Sequence, residues 1–363
     1  MAHRVLITGS GGPAGVNVIK SLKESGNPPF ILGVDINSYH IEFARPVVDE
    51  VALVPRCNSA EYVSVLNELI GKYQIDFIHP QPDVEVRALS ENREHIHARN
   101  YLPSKETVRI CQDKHASASI WKQHGFPNVE SIVLRPDHLE DDIHTAFTKL
   151  GPKLWIRATE GAGGIGSTPA EKPETILHWI NYWLERGKRW KFIAQEYLPG
   201  DNIAFQSVWR NGELITSQAR ERVEYIYPYL APSGVTGTPV VARTIHNTDL
   251  NEMATKAVLA IDPKATGIFC VDIKFDKHGH PMPTEINVGR FFTTSYFFSH
   301  AATVYNRPYA NMPALTLQLA FNEPLPADIP KYNALPANLY WVRHIDCGHT
   351  LIPEDKLMQN PFE

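Results

Sequence analysis

Asp272, Glu285 and Asn287 carry oxygen donors in the segment CVDIKFDKHGHPMPTEIN, residues 270–287. A two-residue turn at His278-Gly279, where glycine is favoured, would fold this segment into an antiparallel hairpin. Asp272 then stands directly opposite Glu285, and Asn287, two residues on, shares their face. Val271, Ile273, Phe275 and Ile286 point the other way, into a core. Two carboxylates opposed across a ladder repel each other. A hard divalent cation between them removes that cost. This oxygen set suits Mg2+ that is also held by phosphates, with Mn2+ as the alternative. A solvated polar face is the alternative reading of the same residues.

The segment KLWIRATEGAGGIGS, residues 153–167, ends a strand-like run on Arg157. It then places Gly161, Gly163, Gly164 and Gly166 ahead of Ser167. A stretch so rich in glycine can fold its N–H groups over a polyanion. Arg157 is placed to deliver a fixed guanidinium to the same anion. No GK[ST] follows, so this is not a Walker A loop. A hairpin turn would use the same glycines.

A second glycine-rich turn, GSGGPAG at residues 9–15, follows a strand-like run and opens a helix, and Asp35 ends the next strand. Glycines there let a backbone approach a pyrophosphate at a helix N-terminus. The spacing is GxGxxxG, not GxGxxG, and simple strand–helix packing uses such a turn too. Tyr101 and Lys105 have the YxxxK spacing of short-chain dehydrogenases, but Pro103 between them breaks the helix such a pair needs.

Short apolar strands alternate with helices through the first hundred residues: Arg4–Thr8, Phe30–Asp35, Glu50–Val54 and Asp76–His79, with helices over Ala14–Glu24 and Tyr62–Lys72. That order predicts a parallel sheet covered by helices. Ser104 is a candidate N-cap for a helix over Lys105–Lys114, and a second helix is expected over Ala116–His124. Beyond Leu154 strand-like runs dominate, with helices expected over about 171–187 and 248–261.

Composition narrows the function classes. The 363 residues are 43% hydrophobic and 21% charged, which excludes a disordered chain and implies two or three domains. Net charge is -5 with no Lys/Arg block, so no nucleic-acid footprint is present. The four cysteines form no CxxC pair, which argues against a zinc site and for a reducing compartment. No secretory leader or membrane-length apolar run is present, so a cytoplasmic protein without a membrane partner is expected. Whether it forms homo-oligomers is left open.

Taken in order, these segments resemble the ATP-grasp superfamily, and within it the carbamoyl-phosphate-synthase-like branch, over roughly residues 1–325. The resemblance implies a mixed α/β and α+β chain. A Rossmann-like parallel-sheet domain would span 1–103. The ATP-grasp small lobe, with connecting helices and glycine loop, would span 104–200, and the large lobe with the metal hairpin 201–325. Residues 326–363 form a tail of unread role. Asp113-Lys114 looks like the family's helix motif whose basic residue contacts phosphate. Arg157 matches the phosphate-contacting position, which is Arg in this branch and Lys in most relatives. Gly161–Ser167 resembles the loop over the phosphates. Gln195, Glu196, Tyr197 and Leu198, followed by Pro199-Gly200, look like the strand that reads adenine. The ribose position, usually Glu, falls at Asp201-Asn202, with Asn202 able to bond a hydroxyl. Asp272, Glu285 and Asn287 match the metal ligands. The family's E-x-N-P-R tail is here Glu285-Ile-Asn287-Val-Gly-Arg290, with the arginine displaced by one.

The activity implied is that of an ATP-dependent ligase acting on a small-molecule carboxylate and an amine. The carboxylate attacks the γ-phosphate and forms an acyl phosphate, which the amine then attacks. Lys114, Arg157 and Arg290 are the expected catalytic cations. Arg220 and Arg222, alternating along QARERVEY, are candidates for the substrate carboxylate; a surface strand paired with Glu221 and Glu224 would look alike. Gly11 and Gly12 are candidates for the second substrate. The alternatives are phosphorylation of bicarbonate or carbamate, a nicotinamide-dependent oxidoreductase built on Gly9–Asp35, and a catalytically silent nucleotide-binding protein.

Overall fold

The computed structural model describes residues 2–126, 129–159, 164–344 and 361–362. Its first unit runs β1 (Arg4–Thr8), α1 (Pro13–Lys23), β2 (Phe30–Asp35), α2 (Ile41–Ala44), β3 (Glu50–Leu53), α3 (Tyr62–Tyr73), β4 (Phe77–His79) and α4 (Asp83–Glu91). The sheet order is β3-β2-β1-β4, all parallel. Val5, Leu6, Ile7, Ile31 and Leu32 are fully buried, because helices cover both faces. The first glycine turn is closed to a pyrophosphate. Asp35 accepts from Gly11 N at 3.1 Å and from Asn37 N at 3.0 Å, so both its oxygens hold the loop. A Cβ on Gly11 would lie 1.9 Å from the His40 carbonyl oxygen. The oxidoreductase alternative thus loses both its phosphate cradle and its ribose acceptor.

Two helices lead out of this unit, α5 (Lys105–Gln112) and α6 (Lys114–Gln123). Ser104 caps α5 by accepting from Thr107 N. The first helix stops short of Lys114 because Asp113 is extended and caps the second, accepting from His115 N and Ala116 N. Lys114 therefore opens a helix, and its N–H bonds Thr159 O.

A four-stranded antiparallel sheet follows: β5 (Ser131–Leu134), α7 (Leu139–Leu150), β6 (Leu154–Ala158), β7 (Thr168–Ala170), α8 (Pro173–Glu185) and β8 (Phe192–Glu196), in the order β5-β8-β6-β7. Helices α7 and α8 close its core around Ile143, Ile156 and Ile176.

The last unit is a six-stranded antiparallel sheet ordered β13-β12-β9-β10-β11-β14. Its elements are β9 (Asn202–Arg210), β10 (Glu213–Tyr225), β11 (Pro239–Ile245), α9 (Thr248–Ile261), β12 (Gly267–Phe275), β13 (Pro281–Val288), α10 (Ser295–Val304), α11 (Met312–Phe321) and β14 (Tyr340–Val342). One face packs on α6 and α9, where the Trp121 indole donates to Ala257 O. The other packs Ala204, Val208 and Ala242 against Phe298 and Leu315 of α10 and α11. The described residues from 327 to 344 are part of this unit: Thr216 and Ser217 hydroxyls bond Pro330 O and Lys331 O, and β14 pairs with β11.

The hairpin β12–β13 departs from the expected two-residue turn. Asp276 N bonds His280 O, so Lys277, His278 and Gly279 form a three-residue loop with Gly279 at φ 81°. A bulge between Asp272 and Ile273 then shifts the register by one. The two departures cancel, and Asp272 ends opposite Glu285.

Candidate active site

Antiparallel pairing sets one charged row across the large sheet. Asp272 pairs with Glu285 on one side and Ala204 on the other, and Ala204 pairs with Arg220. These four side chains share a face. Asn287 lies opposite Cys270 and so belongs to the same face, and Arg222 and Asn202 follow on the other flank of the row.

Arg157 comes from the small sheet and Lys114 from the start of α6, and both reach one oxygen. Arg157 Nη2 donates to Glu285 Oε2 at 2.7 Å, and Lys114 Nζ lies 3.3 Å from the same atom. Burial pushes the Glu285 carboxyl up, but Arg157 and Lys114 outweigh it and hold it well below the usual range. Burial pulls the Lys114 ammonium down. Arg157 Nε is buried and has no partner among the described residues, which leaves a donor for an incoming anion.

Asp272 Oδ1 accepts from Arg222 Nη2 at 2.5 Å, and its Oδ2 lies 3.4 Å from Asn287 Nδ2. Burial raises the Asp272 carboxyl, opposed by Arg222 and reinforced by Glu285. No three His, Cys, Asp or Glu side chains converge among the described residues. Protein donors to a cation here are two carboxylates and the Asn287 amide, leaving other positions to water and phosphate. That donor set fits Mg2+.

Of these groups Arg157, Arg222, Asp272 and Glu285 line a cleft between the two antiparallel sheets, and Lys114 and Asn287 stand behind its lining. Its far wall holds Gln195, Glu196, Tyr197 and Leu198, and Asn202 stands at its edge. Leu198 packs with Val129 and Met282 into an apolar patch. Gly161 and Gly163 lie outside the described residues. Gly164 and Ser167 line the cleft with Val235, so the chain at Val235 meets the described end of the glycine loop. Gly166 adopts φ 79°. Its carbonyl accepts from the Trp179 indole at 3.1 Å, and the Trp190 ring lies under it. A larger groove runs between α1, α10 and α11, but none of Lys114, Arg157, Asp272 or Glu285 lines it.

Arg290 does not face the cleft. Both its Nε and Nη2 bond Asp83 at the start of α4, and Nη2 also donates to Asn287 Oδ1 at 2.7 Å. Asp83 thus touches the site from the parallel-sheet unit, and sequence reasoning missed it. Gln81 is similar: its amide bonds both the N–H and the carbonyl of Phe291. Their signal was the sequence HPQPD at the end of a parallel strand, where such sheets place ligands. Gly11 and Gly12 lie at the end of β1, outside the lining of this cleft.

No protein-family model matches the sequence, and no curated protein matches it. Solved structures match along most of the chain. A carboxyaminoimidazole ribonucleotide synthase from Aspergillus clavatus, complexed with ATP, is 18% identical with a TM-score of 0.65, over 90% of this chain and 79% of that one. The biotin carboxylase domain of Hydrogenobacter thermophilus 2-oxoglutarate carboxylase is 15% identical with a TM-score of 0.68, over 94% and 73%. An L-amino acid ligase from Bacillus licheniformis is 14% identical with a TM-score of 0.63, over 90% and 77%. The chain has the ATP-grasp fold. In ATP-grasp terms the β5-β8-β6-β7 sheet is the small lobe and the six-stranded sheet the large lobe. The charged cleft lies between these two lobes, with the parallel-sheet unit against one end.

Proposed function

We propose that this chain is an ATP-dependent ligase that activates a carboxylate as an acyl phosphate and joins it to an amine. The convergence of Arg157 and Lys114 on Glu285 supports the reading most directly, because it brings small-lobe, linker and large-lobe charge to one point. ATP lies in the inter-lobe cleft, its adenine against Leu198 and the Gln195–Tyr197 backbone and its ribose near Asn202. The neighbours bound to ATP or to MgADP support ATP as the ligand. Asp272, Glu285 and Asn287 would hold Mg2+. When bound, that ion neutralises charge on the phosphates.

The residues then act by position and charge. Arg157, Lys114 and the loop amides hold the γ-phosphoryl in line with the acid. One carboxylate oxygen forms a bond to the γ-phosphorus as its bond to the β-phosphate oxygen breaks, and ADP leaves. The amine nitrogen next attacks the acyl carbon, the carbon–oxygen bond to phosphate breaks, and the amine proton passes to solvent or phosphate. The acyl phosphate has to be kept from water until the amine reaches it. Arg290, held by Asp83, positions Asn287 and ties the metal strand to the parallel-sheet unit. The three free cysteines among the described residues suit a reducing, cytoplasmic setting.

Phosphorylation of bicarbonate is the second reading. The biotin carboxylase domain cited above was crystallised with bicarbonate as well as MgADP. ADP release measured over pools of carboxylates crossed with amines, with product mass read directly, separates the two. Release that needs both an acid and an amine supports ligation; release on bicarbonate alone supports the second reading. No MgATP binding at all would remove both.

A further inference from the structure

The groove between α1, α10 and α11 lies at the opposite end of the parallel sheet from the charged site. That site meets the sheet past the ends of its strands, through Gln81 and Asp83. The groove opens where β1 begins, at His3, and the 5 residues of β1 at about 3.3 Å each separate the two ends. No residue lines both concavities.

Two units build the groove. Leu22 and the turn from Glu24 to Asn27, at the end of α1, form one side. The end of α10, one face of α11 and Glu323 form the other. The two sides are tied together. Asn311 Nδ2 donates to Ser21 O at 2.7 Å, and the Tyr296 phenol donates to Glu24. His3 Nε2 lies 2.7 Å from Glu323 Oε1, and its ring stacks on Phe321 at 3.8 Å.

The lining sets what fits. Leu22, Ala302 and Leu317 are buried and give the groove an apolar floor. Glu24 and Glu323, with side chains 32% and 39% exposed, stand at its rim. Among the described residues no Lys or Arg lines it. Lys23 and Arg307, next to lining residues, are engaged by Asp49 and by Ala334 O. The carboxamides of Asn27, Asn306 and Gln318 face the groove without a partner among the described residues. An apolar floor accepts methylenes, and carboxylate and amide oxygens accept N–H donors. An anion would meet two like charges and no fixed cation.

We infer that this groove is a binding site for a small aliphatic amine, its ammonium held by Glu24 and Glu323 and its methylenes laid on Leu22 and Leu317. The site is separate from the nucleotide cleft and does not depend on the ligase reading. Because its walls come from the parallel-sheet unit and the large lobe, a bound amine stabilises the docking of one on the other.

Putrescine is the probe, titrated at low salt into the full chain without nucleotide and read by saturation-transfer NMR and thermal melting. Transfer to its methylenes and a raised Tm are expected in the wild type. Glutarate, a dianion of similar length, is expected to give neither. Glu24→Gln and Glu323→Gln keep side-chain shape and one acceptor oxygen. Each is expected to weaken putrescine binding by about three- to fivefold, the range for a partly exposed ion pair. Glu174→Gln, which removes one exposed charge on the small lobe, is expected to bind as the wild type does. Ala314→Leu narrows the groove without altering a charge; it too is expected to weaken binding, and it decides the matter if a glutamine variant does not fold. No transfer in the wild type, unchanged binding in the Glu24 and Glu323 variants, an equal loss in Glu174→Gln, or glutarate binding as putrescine does would each overturn the assignment.

Discussion

Arg157 of the small lobe donates to Glu285 of the large lobe at 2.7 Å, across 128 residues of sequence. The pair joins the two sheets where a triphosphate would lie. Replacing Arg157 by Ala leaves Lys114 to hold Glu285 at 3.3 Å, so folding should survive. Transition-state charge on the phosphoryl would lose its fixed guanidinium. ATP turnover is expected to fall by about 10²-fold or more. ADP release together with a thermal melt tests this; an unchanged rate would remove Arg157 from the phosphate site.

Glu285→Ala removes one of the two opposed carboxylates. Asp272, held by Arg222, is then the sole acidic donor on the row. The gain in ADP affinity that Mg2+ gives the wild type should shrink by about tenfold or more, while ADP alone binds no worse, because a Mg2+ site keeps few protein donors. Calorimetry with and without Mg2+ reads both quantities. A variant that kept near-full turnover with Mg2+ would end the metal assignment.

The charged face was legible because strands advertise their faces. Alternation put Val271, Ile273 and Ile286 inside and Asp272 and Glu285 together. The turn was not legible: the longer loop and the bulge at Asp272 each shift register by one, and only their sum was visible as the pairing. Helix α11 was missed because Met312, Leu315, Leu317 and Leu319 bury it nearly all round, leaving no polar stripe to give a period. The break at Asp113 was hidden because capping decides it, not hydrophobic spacing. Arg290 shows the remaining limit. Its place in the tail motif suggested a ligand contact, but its partner Asp83 lies 207 residues away and no local pattern couples them.

Gly166 tests how the glycine loop is held. A side chain at φ 79° costs about 1–2 kcal/mol for an L-residue. The added Cβ would also lie 3.1 Å from Trp190 and 3.3 Å from Ala158. Gly166→Ala should therefore shift the loop off its Trp179 anchor and weaken ATP affinity by about five- to thirtyfold, given that each 1.4 kcal/mol is a decade. Indole fluorescence on adding ADP, compared between wild type and variant, follows the same event. Unchanged affinity would show that the Gly166 end of the loop does not set the nucleotide site.

His79 gives a pH prediction away from the metal residues. It is fully buried at the end of β4, with Nε2 2.8 Å from Gln81 Oε1 and its ring beside Phe291. Burial pulls its pKa down to about 4, and the Gln81 bond only partly opposes this. Above the ordinary histidine value of about 6.5 neither the folded nor the unfolded chain protonates it, so it costs nothing. Between about 6.5 and about 4 only the unfolded chain takes the proton, and stability falls as the pH drops. The loss can reach on the order of 3 kcal/mol at the acid end. His79→Phe should flatten the stability profile across that window even if it lowers stability at neutral pH. Urea unfolding midpoints measured from pH 7 to 4.5 read the slope, and equal slopes in both proteins would show that His79 is not the proton-sensitive group.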